Sequence, residues 1–281
     1  MKTNHMTSEY DLHCHSSASD GTLTPSELVR QAHAAGVKTL ALTDHDTVAG
    51  IPEAVREAAT TDMTLLAAIE LSVTWRGKCL HLVGLNIDSA FEPLLRGIDK
   101  IQATRIDRAE QIARRLAKKG IEGASDAVNA LADKGMITRT HFARFIVSQD
   151  KADSLQHAFD RYLSRGKPAY VPTIWATLEE AVGWIRGAGG IAVLAHPLRY
   201  KLSSNAMRKL LSAFKESGGQ GIEVVCGRNN SGDIQTSAGH ARRFNLAGSV
   251  GSDFHSPENP WIALGRLAPL PADITPVWSL W

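Results

Sequence analysis

The sequence predicts an α/β chain built on a parallel sheet or barrel, interrupted by a mostly helical insertion. Three observations carry this. Short apolar runs of strand length alternate with helical patterns. The alternation lapses across 91–172, where only helical patterns occur. Over 281 residues, 43% hydrophobic content is enough to bury a sizeable core.

Seven runs read as buried strands: Glu9–His15, Thr39–Thr43, Thr64–Val73, Cys79–Leu85, Gly190–Ala195, Gly221–Val225 and Leu246–Gly251. After the first, Thr24-Pro25-Ser26-Glu27 opens a helix. Thr24 suits the N-cap, Pro25 the first helical position, and Glu27 completes a capping box. That helix, Pro25–Ala35, should stop at Gly36. Further helices are expected at Ile51–Thr60, Thr177–Gly187 and Asn205–Ser217. The sequence divides into 8–90 plus 173–281 as one body and 91–172 as an inserted helical domain. The stretch Pro257–Trp281 reads as an irregular covering segment.

The near-neutral total, +2, hides an asymmetry. From Arg96 to Lys167 there are 9 Arg and 6 Lys against 9 acidic residues, a surplus of +6, and the rest of the chain carries −4. A basic lobe beside an acidic body suits a protein that gathers anions with one part, although single charges there can equally be solvated helix faces. No stretch approaches the ~18 apolar residues of a membrane helix, and the start lacks the apolar run of a signal peptide. Cys14, Cys79 and Cys226 form neither a disulfide framework nor a zinc pattern. A soluble, cytoplasmic protein is expected, with no membrane association and no evident obligate protein partner.

The 11 histidines are the compositional oddity. His13 and His15, two apart on a strand, face one side. Asp20 follows in SASDG, His45 in LTDHD, Glu70 in AAIELSV, His81 in CLHLVG, His196 in LAHP, and Asp253 with His255 in GSDFHS. Alone, His81 would read as a core histidine. Together these residues sit near strand ends, which in a parallel barrel converge on one face. So many buried ionisable groups require a partner, and imidazole with carboxylate but no thiolate fits Zn²⁺, Mn²⁺ or Fe²⁺. Nine ligands suggest two or three divalent ions and equipment for phosphoester or amide hydrolysis.

The motifs HCHS (13–16), TDHD (43–46), Glu70, His81, AHP (195–197) and GSDFH (251–255) resemble, in order, those of the polymerase-and-histidinol-phosphatase (PHP) superfamily of metal-dependent phosphoesterases. The interposed basic segment and its RGKPAYVP ending (165–172) are similar to the branch of nucleoside-3′,5′-bisphosphate phosphatases and short-RNA 5′→3′ exoribonucleases of the ribonuclease AM type. The resemblance implies a distorted (β/α)7 barrel with three metal positions. His13, His15, Glu70 and Asp253 would hold the first ion; Glu70, His81 and His196 the second; Asp20, His45 and His255 the third. Manganese is the expected metal, with zinc or iron as alternatives.

It also implies hydrolysis by a hydroxide bridging two ions, with Asp253 as the catalytic residue that orients it. The expected substrate is a nucleotide bisphosphate or the 5′ end of a short RNA, whose second phosphate needs its own cationic holder. Arg199 is the first candidate, with Arg139, His141, Arg165 and Lys167 as partners from the basic lobe. Tyr170 or Trp175 could stack on a base. Asp11, Asp44 and Asp46 are candidates to orient the imidazoles, or else turn residues. The alternatives are a small-molecule phosphatase, such as one acting on histidinol phosphate, and a non-catalytic accessory module.

Overall fold

The computed structural model describes residues 8–132 and 135–281. Residues 1–7, read above as lacking a signal peptide, lie outside the described residues. Three strands, β1 (Tyr10–Cys14), β2 (Thr39–Leu42) and β3 (Thr64–Ala67), form a parallel sheet in that order. Six more follow: β4 (Ile69–Trp75), β5 (Lys78–Leu85), β6 (Ala176–Thr177), β7 (Ile191–Leu194), β8 (Gly221–Cys226) and β9 (Ala247–Gly251). Their sheet has the order β6-β4-β5-β7-β8-β9.

The two sheets meet at both edges. The expected third strand turns at Ala68, so that β3 pairs with β2 while its continuation, β4, pairs with β5. At the other edge, His15 N–H donates to Phe254 O at 2.9 Å and Asp253 N–H to His13 O at 2.7 Å. Gly251 permits that approach, because any Cβ there would overlap the His13 Cβ. The result is a distorted barrel. Its interior is a cluster that includes Leu12, Ala41, Leu66, Val83, Leu85, Ile191, Val193 and Ala247. The alternate residues of β2, Leu40 and Leu42, face α1 (Pro25–Ala34) and α2 (Ile51–Ala58) instead.

One strand departs from the all-parallel expectation. β5 runs antiparallel to both β4 and β7. Arg76 (φ 47°) and Gly77 (φ 72°) make a two-residue hairpin turn between Trp75 and Lys78. Reversal brings the amino half of β5, not its carboxyl end, to the face where the other strands finish. His81 alternates in step with Val83 and Leu85, which places it just above the interior cluster.

The insertion opens with α3 (Glu92–Ala117), a 26-residue helix about 39 Å long. Its first half packs Leu94, Ile98 and Ile101 against the barrel's helices, and its second half packs Ala109, Ile112 and Leu116 into a separate cluster. That cluster includes Val128 of α4 (Ala124–Ala132), Phe142 of α5 (Arg139–Ser148) and Ala158 of the short α6 (Leu155–Ala158). A single helix therefore takes part in both clusters. Among the described residues, 91–172 contain no strand.

Outside the barrel, α7 (Leu178–Gly187) and α8 (Ser204–Glu216) fall where expected. A ninth helix, α9 (Ser231–Phe244), was not anticipated; Asn230 and Asp233 form its capping box. The carboxyl-terminal segment closes the barrel's lower end, with Trp278 stacked on Tyr10 at 4.1 Å and Val277 in the interior cluster.

Candidate active site

All nine histidine and carboxylate candidates converge at the upper rim. Glu70, buried at the start of β4, is their centre: its oxygens lie within 2.9–3.4 Å of ring nitrogens of His13, His15, His45, His81 and His196. The imidazoles pack closely, His15 stacked on His255 with ring centroids 4.1 Å apart and His45 edge-on to His81 at 4.9 Å. Asp253 Oδ1 faces His13 and His15 at 3.4 and 3.3 Å, and Asp20 Oδ1 faces His255 at 3.4 Å. Three backbones adopt positive φ where they enter the site: Asp46 (51°), His196 (27°) and Asp253 (54°). Such conformations cost about 1–3 kcal/mol each and persist where surrounding structure imposes them.

The donor set matches a metal site in what its buried polar atoms leave unsatisfied. Six buried side-chain atoms have no hydrogen-bond partner among the described residues: His15 Nδ1, Asp20 Oδ1, His45 Nδ1, Glu70 Oε2, His81 Nδ1 and His196 Nδ1. All belong to this cluster. His45 Nδ1 lies 2.9 Å from Glu70 Oε2, and His81 Nδ1 3.0 Å from Glu70 Oε1, yet neither pair has hydrogen-bond geometry. Buried donors and acceptors left without hydrogen-bond partners call for another counterpart, and a shared cation supplies one. Protons alone serve the cluster poorly. Burial and the neighbouring His255 push His15 down to about 3; against its own burial, His81 is raised to about 10 by Glu70. Four overlapping groups can each enclose an ion: His15/Asp20/His45/His255, His13/Glu70/His196, His13/His15/Asp253 and His45/Glu70/His81. The residues present fit divalent metals.

The supporting shell differs from expectation. Among the described residues, neither Asp44 nor Asp46 hydrogen-bonds to the His45 ring. Asp44 accepts from Ser16 N, Ser16 Oγ and Ser19 Oγ, at 2.8, 2.6 and 2.6 Å, and so shapes the loop after His15. Asp46 accepts from Ser72 N and pairs with Arg105 of α3. Asp11 accepts from Ser252 N at 2.8 Å and Gly265 N at 2.9 Å, anchoring the turn that carries Asp253. The residue that orients an imidazole is Glu223 on β8, hydrogen-bonded to His13 Nδ1 at 2.6 Å while its other oxygen accepts from the His196 amide. Its signal was present: a lone acid inside the apolar run GIEVV.

Beside the cluster lies a cavity of about 320 Å³, lined on one side by the histidines and carboxylates and on the other by Arg105, Arg108, Arg139, Thr138, Phe159 and Trp175. Arg105 is committed to Asp46 and to Ser72 Oγ. Arg108 sits over the Trp175 ring at 4.9 Å and Arg139 over Phe159 at 5.7 Å, and neither has a carboxylate in ion-pair range among the described residues. Burial, with Arg105 and Arg139 adjacent, pushes Arg108 down to about 9, so it stays charged at neutral pH. The sequence reading missed Arg105 and Arg108, because both sit on a helix whose many charges read as a solvated face.

The remaining substrate candidates separate. Arg199 does lie at the rim, but it is paired with Asp253, holding that carboxyl well below its usual range against the cost of burial. His141 is buried and outside this cavity: its Nδ1 accepts from the Thr138 amide at 3.1 Å and caps α5. Burial pushes it down to about 4. Thr138 Oγ1 donates to Asp20 Oδ2 at 2.9 Å, which ties the helix start to the cluster. Arg165 and Tyr170 line a different cavity, and Lys167 lines neither.

A barrel rim crowded with imidazole and carboxylate ligands, facing a cationic pocket, defines a metal-site hydrolase scaffold. Residues 11–226 match the PHP domain, and the chain belongs to that family. It is 46% identical to a 5′-3′ exoribonuclease of Haemophilus influenzae, over 98% of this chain and 99% of the relative. It is 43% identical to a 3′,5′-nucleoside bisphosphate phosphatase of Chromobacterium violaceum, over 95% and 94%. Among solved structures, an amidohydrolase from Chromobacterium violaceum with bound sulfate and no metal superposes with TM-score 0.92 at 43% identity, covering 96% of this chain and 94% of that one. A proposed metal-dependent phosphoesterase from Bifidobacterium adolescentis superposes with TM-score 0.81 at 28% identity, covering 96% and 93%.

Proposed function

We propose that this protein hydrolyses the bond between phosphorus and the 3′-oxygen of a 5′-phosphorylated nucleotide, in nucleoside 3′,5′-bisphosphates and at the 5′ end of short RNA. The observation that carries this is the two-sided cavity, with a metal-type cluster opposite the unpaired Arg108 and Arg139. A substrate with two phosphates matches it: one at the reacting centre, one on the arginines. Both substrates share the same scissile bond. Cleaving it in RNA leaves a 5′-phosphate on the remaining chain, the group the arginines need for the next round. Relatives named for each of the two activities are consistent with one chemistry.

His13, His15, Glu70 and Asp253 would hold one divalent ion, Glu70 with His81 and His196 a second, and Asp20, His45 and His255 a third; manganese is the proposed metal. When bound, such ions lower the pKa of water and offset phosphate charge. Asp253, kept ionised by Arg199, would orient the attacking water. Arg108 and Arg139 would bind the 5′-phosphate, and the edge of Trp175 would bound the nucleoside. The reading is tested by incubating the protein and Mn²⁺ with adenosine 3′,5′-bisphosphate, histidinol phosphate and a 5′-phosphorylated oligoribonucleotide. Turnover of histidinol phosphate alone would contradict it, and metal binding without any turnover would favour an accessory module.

A further inference from the structure

A second cavity, of about 230 Å³, adjoins the first along Cys79, Arg199 and Tyr200, which line both. Its own walls are the β4–β5 hairpin, through Gly77 and Lys78, and the end of the insertion, through Arg165 and Tyr170. Among the described residues, no carboxylate lines it. The Tyr170 backbone is pinned, its carbonyl accepting from the Arg115 guanidinium and its amide donating to Lys167 O at 3.0 Å. Neither Lys78 nor Arg165 has an ion-pair partner among the described residues. Two free cations and an aromatic ring therefore lie beside the reacting centre, in a cavity whose lining does not include Arg108 or Arg139.

We infer that this cavity receives the nucleotide that follows the scissile phosphate in RNA, its base against Tyr170 and its 3′-phosphate between Lys78 and Arg165. The inference rests on the proposed function and names what distinguishes its two substrates. A nucleoside 3′,5′-bisphosphate has no such nucleotide and leaves the cavity empty. An RNA fills it once. At about 230 Å³ the space is too small for more than one nucleotide unit, so it does not form a long track. Stacking on an aromatic ring tolerates any base, as an exonuclease requires.

The test compares adenosine 3′,5′-bisphosphate (pAp), the 5′-phosphorylated dinucleotide pApA and the trinucleotide pApApA, in wild type, Lys78→Ala/Arg165→Ala and Tyr170→Ala, all loaded with Mn²⁺. The double variant should raise KM for the trinucleotide roughly tenfold or more, the scale of losing a charged hydrogen bond, and leave pAp unchanged, since only the trinucleotide carries the phosphate in question. Tyr170→Ala should raise KM for both oligonucleotides. Unchanged pAp turnover also shows that each variant is folded. Equal effects on all three substrates, or on none, would overturn the inference, as would a wild type that hydrolyses pAp but no RNA. A wild type that turns over neither pAp nor RNA would instead refute the function on which the inference rests.

Discussion

Glu223 and His13 lie on strands remote in sequence, yet the carboxylate of one holds the ring of the other at 2.6 Å with both side chains buried. The hydrogen bond fixes Nδ1 as the protonated nitrogen and turns Nε2 toward Glu70 and Asp253. Through its second oxygen, Glu223 also sets the His196 backbone, which adopts φ 27°. One side chain thereby positions two ligands without touching the reacting centre.

Glu223→Gln should lower metal affinity or activity about 10–100-fold, the usual cost of losing a group that orients a ligand. Metal content by elemental analysis should fall with activity, and excess Mn²⁺ should restore part of the rate. A variant with full metal content and full activity would remove Glu223 from the site.

Arg108→Ala should raise KM for adenosine 3′,5′-bisphosphate, with kcat/KM falling roughly 10–100-fold, and should leave turnover of adenosine 3′-phosphate almost unaffected because that substrate has no 5′-phosphate to lose. Loss of both activities to the same extent would assign Arg108 to the fold instead.

Arg105 and Asp46 form an ion pair that is 4% and 0% exposed, and it links α3 to the loop bearing His45. Removing one partner leaves the other charged and buried, at a cost of about 3–5 kcal/mol. Arg105→Met should therefore lower stability by that order in urea unfolding. The double variant Arg105→Met/Asp46→Asn should recover much of the loss, whereas additive losses would show that the pair is not coupled.

Asp11 supplies a pH dependence. Burial raises its carboxyl from 3.8 to about 6, against the lowering effect of the amides of Gly265 and Ser252. A raised folded value means that the contribution to stability is full below about pH 3.8 and is lost as pH climbs through about 6. The stability difference between wild type and Asp11→Asn, both stripped of metal, should shift against wild type across that window. A difference independent of pH would contradict the burial argument.

The strand ends and the candidate ligands gathered there were legible because the chemistry is local: HxH, TDHD and GSDFH each place an imidazole or carboxylate within a residue or two of an apolar run. The reversal of β5 was legible in principle, since the few residues between Val73 and Cys79 cannot span a parallel crossover. The phosphate side was harder. Arg105, Arg108 and Arg139 become neighbours only when a long helix and the start of α5 fold over the rim, and in sequence each is one basic residue among many. Arg199, chosen for its closeness to His196, is engaged by Asp253, a contact 54 residues away in the chain. His141, expected as a phosphate-binding partner from the basic lobe, is engaged in a helix cap.

Metal-dependent cleavage at the 3′ position underlies the proposed function. It is tested most directly by titrating Mn²⁺ into metal-stripped protein with adenosine 3′,5′-bisphosphate and identifying the nucleotide formed. The expected product is adenosine 5′-phosphate, appearing in proportion to bound metal and abolished by Glu70→Gln. Adenosine 3′-phosphate as the product, or turnover that persists without metal, would contradict it.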